Sequence, residues 1–409
     1  MTQKGLEYLR RKLDVYQWGV DKRYTIYAMK DKDLSFGLTI PPDIRNRYRA
    51  VLGWGAKAVD ALADRLVFRT FANDNFAFNE LFKINNGDIL FDNAILSALI
   101  ASCSFAYIRT DQDGQPLIEI IQASEATGIL DPVTNLLTEG YAVLSRGDDL
   151  LPNKEAYFEP YRTSIYTKGE KEPVVYPHAS PYAALVPIIH RPDSVRPFGR
   201  SRITRTGMYA QSYAKRTLER ADITAEFYSW PQKYVTGLSQ DAEPMEKWKA
   251  TVSSMLMFQK DSEGDSPKLG QFNTPSMSPF TEQVRSAAAI FAGDSGLTLD
   301  DLGFVSDNPS SSEAIKASHE NLRIAARKAQ RNFNVCFINI GYVASMLRDN
   351  QEYKRDTFLD VKPKWYPVFE PDSSTLSTIG DGAIKVNQAV PNYFNKESLL
   401  DLTGIEGGE

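Results

Sequence analysis

Cysteine and histidine are nearly missing from this chain: two and three, respectively, in 409 residues. Two thiols, Cys103 and Cys336, exclude a disulfide framework and a thiolate zinc site. Both lie in apolar stretches read as helical. His178, His190 and His319 are not paired at the spacing that puts two ligands on one helix face. They are read as ordinary loop, strand-end and helix-surface histidines. The chain has no Gly-Lys dipeptide, hence no Walker A phosphate loop, and no Gly-x-Ser-x-Gly nucleophile elbow. Its acidic residues form no evident catalytic or metal-binding pair. Long apolar runs are missing too. The longest, Ala94 to Ile108, is broken by serines and is too short to span a bilayer. The first residues lack the apolar core of a secretory leader. These absences point to an intracellular, soluble protein without cofactor, metal or catalytic role.

A positive charge excess is also missing. The net charge of −5 gives no global field that draws the chain onto nucleic acid, so any contact with DNA must be local or weak. What is present is ample apolar residue, at 42%, which with this length supports two or three domains with ordered cores. The 21 Phe, 20 Tyr and 5 Trp suit cores and subunit interfaces.

Leu6, Leu9, Leu13 and Tyr16 predict an opening amphipathic helix, closed off before Pro41-Pro42. A second helix is read with Tyr48, Val51, Val59, Leu62 and Leu66 on one face. A third runs from about Asp88 to Ser102. From Ser104 to Ile189 short apolar runs alternate with turns at Asp113-Gly114, Asp131-Pro132 and Arg146-Gly147-Asp148, which predicts antiparallel sheet. Helical spacing returns after Gly199, with Tyr209, Tyr213, Thr217, Ala221, Thr224 and Tyr228 on one face and Pro231 as the stop. An excursion at 232–279 carries a strand at Tyr234-Val235-Thr236. Helix resumes at Thr281 to Phe291, with Val284, Ala287, Ala288 and Phe291 facing one way. Ala292 to Ser312 reads as an acidic loop; with Glu313 it holds five acids (Asp294, Asp300, Asp301, Asp307, Glu313) and no Lys or Arg. Ser310 and Glu313 have capping-box spacing, and a long amphipathic helix follows to about Asn350. The tail holds a short strand at Trp365 and a polar helix at about Thr375 to Val390. The class is α+β.

Several ordered stretches carry a resemblance. Pro197-Phe-Gly-Arg-Ser-Arg-Ile203 leads into a long helix. Phe280 to Gly303 reads as a helix followed by a small-residue loop ending in Leu-Gly. Asn308-Pro-Ser-Ser-Ser-Glu-Ala-Ile315 opens the last long helix, and Lys364-Trp365 through Leu402-Thr-Gly-Ile405 closes the chain. In this order they resemble the portal (head-to-tail connector) family of tailed bacteriophages, in its Gp6-like branch. The chain departs from the family's habits at Ser102-Cys103 and at Leu297-Thr298-Leu299, and a large C-terminal crown is not expected.

The resemblance implies a portal fold: a sheet-containing wing at 1–200, a stem helix at 201–231, a small α/β clip at 232–279, a second stem helix at 280–293, a tunnel loop at 294–312, a long tunnel-lining helix at 313–350, and a C-terminal segment at 351–409 packing on the wing. It implies a homo-oligomeric ring of about twelve subunits at one capsid vertex of the virion, assembled in the bacterial cytoplasm. Double-stranded DNA would pass through it during packaging and ejection. The implied partners are the large terminase, the major capsid protein and scaffold, and a head-completion adaptor, with no membrane. Asp294, Asp300, Asp301 and Asp307 are candidates for the channel lining, where acids would keep DNA mobile; the other reading is solvated loop acids or helix-dipole partners. Arg200, Arg202 and Arg205, within a run of eight Lys/Arg from His190 to Arg220, are candidates for subunit or DNA contact or a solvated face. Arg323, Arg327 and Arg331 form one helix stripe with the same alternatives. Trp230, Tyr234, Trp248 and Phe258 either anchor clip-to-clip contacts or form the clip's own core. The competing classes are another phage capsid or tail protein and a phage-encoded nucleic-acid enzyme.

Overall fold

The apolar runs between Ser104 and Ile189 build the antiparallel sheet expected there. The computed structural model describes residues 3–31, 48–229, 233–236, 268–271, 276–304 and 317–405. In chain order these form α1 (Leu6–Tyr27), α2 (Trp54–Ala63), β1 (Phe68–Ala72), α3 (Phe78–Ile84), α4 (Gly87–Ala101), β2 (Cys103–Thr110), β3 (Pro116–Gln122), β4 (Ala126–Leu130), β5 (Leu137–Arg146), β6 (Pro152–Glu159), β7 (Arg162–Thr167), β8 (Val174–Pro177) and β9 (Leu185–Ile189). They continue as α5 (Arg205–Ser229), β10 (Lys233–Thr236), β11 (Lys268–Gln271), α6 (Ser278–Ser295), α7 (Glu320–Asp349), β12 (Lys362–Trp365), α8 (Ser373–Ala389) and α9 (Lys396–Thr403). The fold is mixed α+β. No helix among the described residues is long and apolar enough to cross a membrane.

The chain divides into two units. The larger is Met1–Lys32, Gly53–Met208 and Ala292–Glu409; the smaller is Asp33–Leu52 and Tyr209–Phe291. In the larger unit, β2–β9 make a three-stranded sheet, ordered β3-β2-β9, and a five-stranded meander, β4-β5-β6-β7-β8. Phe105, Tyr107, Leu137, Phe158 and Leu185 fill the core they share. A second core is aromatic. Phe68, Phe71, Phe82, Phe91, Phe337 and Trp365 meet with ring centroids 4.2–5.8 Å apart, where the β1-β12 pair crosses α4 and α7. Gly341 lets α7 approach α3: a Cβ there would stand 2.5 Å from the Phe78 ring.

Helix α1 is held to the meander by its buried Leu9 and Leu13, which pack on Tyr141, Val143 and Tyr157. Just ahead of the helix, the buried Glu139 carboxylate accepts from Lys4 N and Gly5 N (both 2.9 Å) and from Tyr157 Oη (2.8 Å), which fixes the start of the chain on the meander.

Several expectations need correction. Tyr16 is 61% exposed, so it is off the buried face of α1. The second helix starts only after Gly53. Tyr48 and Val51 precede it, and Val51 is 67% exposed; only Val59, Leu62 and Leu66 are buried as expected. Helix α3 was not foreseen. It starts at Ala77 in a left-handed conformation, and Asp74 caps it by accepting from Phe78 N and Asn79 N at 2.8 Å. Cys103 opens strand β2 and is not helical. In the smaller unit, α5 buries Ala210, Gln211, Ala214, Lys215, Thr217 and Ile223; of the face read from the sequence, Thr217 is buried, Tyr213, Ala221 and Thr224 are partly buried, and Tyr209 is 60% exposed. The face Val284, Ala287, Ala288 and Phe291 on α6 is buried as read. The last long helix, α7, buries Leu322, Ala326, Ala329, Phe333, Cys336, Ile340 and Val343 as read; Ile315 and the Ser310/Glu313 cap lie outside the described residues.

Candidate functional site

Two of the expected charged residues, Arg202 and Asp294, lie together where the chain enters α5 and leaves α6. The segment Gly199–Thr204 enters this junction through a sharp turn. Gly199 has φ +76°, and a Cβ on it would stand 2.1 Å from the carbonyl oxygen of His190, so only glycine fits. The neighbouring backbones interlock: Arg200 N–H donates to His190 O (2.8 Å), and His190 Nδ1–H to Arg200 O (2.7 Å). His190 is fully buried and lies over Phe333. Burial, outweighing the help of its backbone bond, pushes its pKa down to about 3, so the ring is neutral. Next, Ser201 Oγ donates to Ile100 O (2.5 Å) and Arg202 N–H to Leu99 O (2.8 Å), tying the segment to the end of α4.

Arg202 is the centre of the junction. Its guanidinium is buried, with Nε donating to Ala58 O on α2 (3.1 Å) and Nη2 to Ser295 O, the last residue of α6. Burial first and the nearby Arg191 second lower its pKa to about 10, partly offset by Asp294; it remains a cation at neutral pH. Thr204 caps α5, its Oγ1 accepting from Gly207 N (2.9 Å), and its hydroxyl donates to the Asp294 carboxylate. Asp294 thereby sits at the positive end of α5. Gly296, at φ +67°, turns the chain out of α6.

These positions revise the expected site. Asp294 is not in the loop but in the last turn of α6. Asp301 faces inward to its own turn: its carboxylate accepts from Thr298 N and Oγ1 (2.9 Å each) and lies 3.8 Å from His319 Nδ1 at the start of α7. Asp300 is exposed in the same short 3-10 turn. Asp307 lies outside the described residues. Arg200 is half exposed and paired with Asp193 at 2.7 Å; Arg205 is exposed at the first position of α5. Arg202 is neither a solvated nor a subunit-facing cation, because its charge is consumed by two backbone carbonyls within the chain. Lys215, in the same basic run, is also buried. On α7, Arg323 pairs with Glu320 (2.5 Å), while Arg327 and Arg331 are exposed and make no ion pair with a described residue. Tyr234 is 46% exposed on β10, opposite Gly270 of β11, where a Cβ would strike its ring. Trp230, Trp248 and Phe258 lie outside the described residues.

Sequence reasoning missed Arg202 as a clamp, and with it Ser201, Thr204 and His190. The only signal was the buried Ile203 beside Arg202; nothing in residue type separates Arg202 from Arg200 or Arg205. Chemically the junction joins elements and offers no acid–base pair open to a substrate. Both thiols are buried and raised by burial, Cys103 to about 12 and Cys336 to about 11, so neither is a ready nucleophile. Among the described residues no group of His, Cys, Asp and Glu is placed to hold a metal ion.

No family model matches the chain. It is 22% identical over 383 residues to the portal protein of Mycobacterium phage L5, covering 88% of this chain and 77% of that one. It is 23% identical over 382 residues to the portal protein of Mycobacterium phage D29, with the same coverage. Among solved structures it is similar to a chain of the virion of a native gene transfer agent particle (TM-score 0.46, 13% identity, 95% of this chain and 100% of that one). It is similar also to a chain in the neck of the native particle, computed with C12 symmetry (TM-score 0.48, 12% identity, the same coverage). The chain is a distant relative of phage portal proteins.

Proposed function

We propose that this chain is the portal subunit of a tailed-phage-like particle, of the Gp6-like branch, and that its ring is the conduit for double-stranded DNA at one vertex. The observation that carries the reading is the ordered sequence relationship to two portal proteins along 88% of this chain. The paired departure and return of α5 and α6 around the β10-β11 pair supports it, since that order suits a stem bearing a small clip. In this reading residues 1–200 and 351–409 form the wing, 201–231 and 280–293 the stem, 232–279 the clip, 294–312 the tunnel loop and 313–350 the long helix. The clip, with Trp230, Tyr234, Trp248 and Phe258, would meet the terminase and later the adaptor; the wing would meet capsid protein and scaffold. Asp300 and Asp307 are retained as channel-lining acids, and Arg205, Arg327 and Arg331 as the cations free for a neighbour or for DNA. The ring supplies passage and no chemistry of its own.

Negative-stain microscopy with light scattering tests this. A ring of roughly 550 kDa is expected for about twelve copies of 45.9 kDa. A protein that stays monomeric at high concentration and with scaffold present, or that hydrolyses ATP with turnover, overturns it.

A further inference from the structure

Sheet edges in the larger unit are treated unequally. An open edge presents unpaired N–H and C=O groups, and proteins normally cover it. The outer edge of β4 is covered by α1, whose Lys12 Nζ donates to Gly128 O at 2.6 Å. The outer edge of β9 meets α7, with Ile189 N–H donating to Cys336 Sγ. The outer edges of β3 and β8 carry no further strand among the described residues.

The first is β3. Asn85 finishes only its start: its side-chain amide donates to Pro116 O (2.9 Å) and accepts from Ile118 N (2.8 Å), much as a strand's peptide group would. Because alternate residues of an antiparallel strand face opposite neighbours, Ile120 and Gln122 also turn their N–H and C=O groups away from β2; the Gln122 carbonyl accepts from Glu125 N (3.0 Å), which leaves Ile120 as the open position. Beside them lies a cleft of about 530 Å³ against α4, bordered by Asn86, Ile89, Asn93, Ile118 and Ile120, with Ile89 66% exposed. The second is β8. Val174, Val175 and Tyr176 are 47%, 50% and 54% exposed, and β8 pairs with β7 alone. His178 N–H donates to Tyr161 O (2.9 Å), so by the same alternation Val174 and Tyr176 bond to β7 while Val175 faces outward.

We propose that β8 of one copy adds to the open edge of β3 in the next copy, with Val175 opposite Ile120 and the Val175 side chain on the face that borders the cleft. One chain thus carries a bare strand and a cleft that lacks one. A head-to-tail contact between copies consumes both at once, and a closed ring leaves neither open. A foreign strand at β3 would leave β8 bare in every subunit. The inference rests on the ring reading above and assigns that ring a specific contact.

The test is cross-linking of the full chain carrying both Ile120→Cys and Val175→Cys. Facing residues in a hydrogen-bonded antiparallel pair have Cα atoms about 5.5 Å apart, within the roughly 4.4–6.8 Å that a disulfide spans. Mild oxidation of rings should give a ladder of covalent multimers on a non-reducing gel, and each single variant should give monomers. Amide exchange on the unmodified protein is the second measurement, expected to slow at Ile120 and Val175 on assembly. Rings that form without the ladder and with fast exchange at both amides overturn this contact and leave the conduit reading standing. Failure of the unmodified chain to form rings overturns both.

Discussion

The guanidinium of Arg202 donates to the carbonyl of Ser295, joining the segment that starts α5 to the last residue of α6. A second arm reaches Ala58 O on α2. One buried cation therefore holds three helices where the chain leaves and re-enters the larger unit. A helix C-terminus leaves carbonyls without partners, and a buried one needs a donor. Arg202 is that donor.

Arg202→Ala should lower stability by about 2–4 kcal/mol, since it strands the buried Ser295 carbonyl and removes two charge-assisted bonds. Arg202→Lys should recover only part, because an ammonium lacks the fork that reaches both carbonyls. Thermal unfolding of the three proteins at one subunit concentration measures this. Equal midpoints would refute the clamp.

Asp300 and Asp301 should behave differently despite being adjacent. Asp301→Ala removes the acceptor for Thr298 and should cost about 1 kcal/mol, the usual worth of such a local cap. Asp300→Lys should leave the unfolding midpoint within experimental scatter and slow DNA packaging in an in vitro assay. Unchanged packaging would remove Asp300 from the channel lining.

His190 predicts an acid-sensitive fold. Its pKa falls from 6.5 unfolded to about 3 folded, so the unfolded state binds more protons between those values. The stability from keeping the ring neutral is full above about pH 6.5 and declines as pH falls toward about 3. His190→Gln should be less stable at pH 8 because its bond to Arg200 O changes, yet show a shallower decline from pH 6.5 to 4. Parallel curves for the two proteins would show that His190 is not the titrating group.

Gly341→Ala should destabilise by about 1–3 kcal/mol through overpacking against Phe78. Phe78→Leu should cost stability by itself and, combined with Gly341→Ala, cost less than the two separate effects added. Strict additivity in denaturant melts would contradict the contact.

Long periodic elements were legible in the residues. Helix α4 was expected at about Asp88 to Ser102 and spans Gly87–Ala101. The apolar face of α6 and the stripe of α7 were also readable, because burial at helical spacing leaves a repeating mark in the sequence. Short elements were less so. Helix α3 has only seven residues, and its cap works through Asp74, four positions before the amide it accepts.

The sequence by itself determined the class, the run of strands from Ser104 to Ile189, the amphipathic helices, and the absence of any familiar catalytic motif. These follow from local periodicity and residue type. Only the tertiary structure decided that Arg202 is a buried clamp while Arg205 is exposed, that Asp301 closes its own turn, that Asp294 belongs to a helix end, and that the edges of β3 and β8 stay open. Charge type is written in the sequence, but whether a charge meets water or a carbonyl depends on packing between residues as distant as Ala58, Arg202 and Ser295.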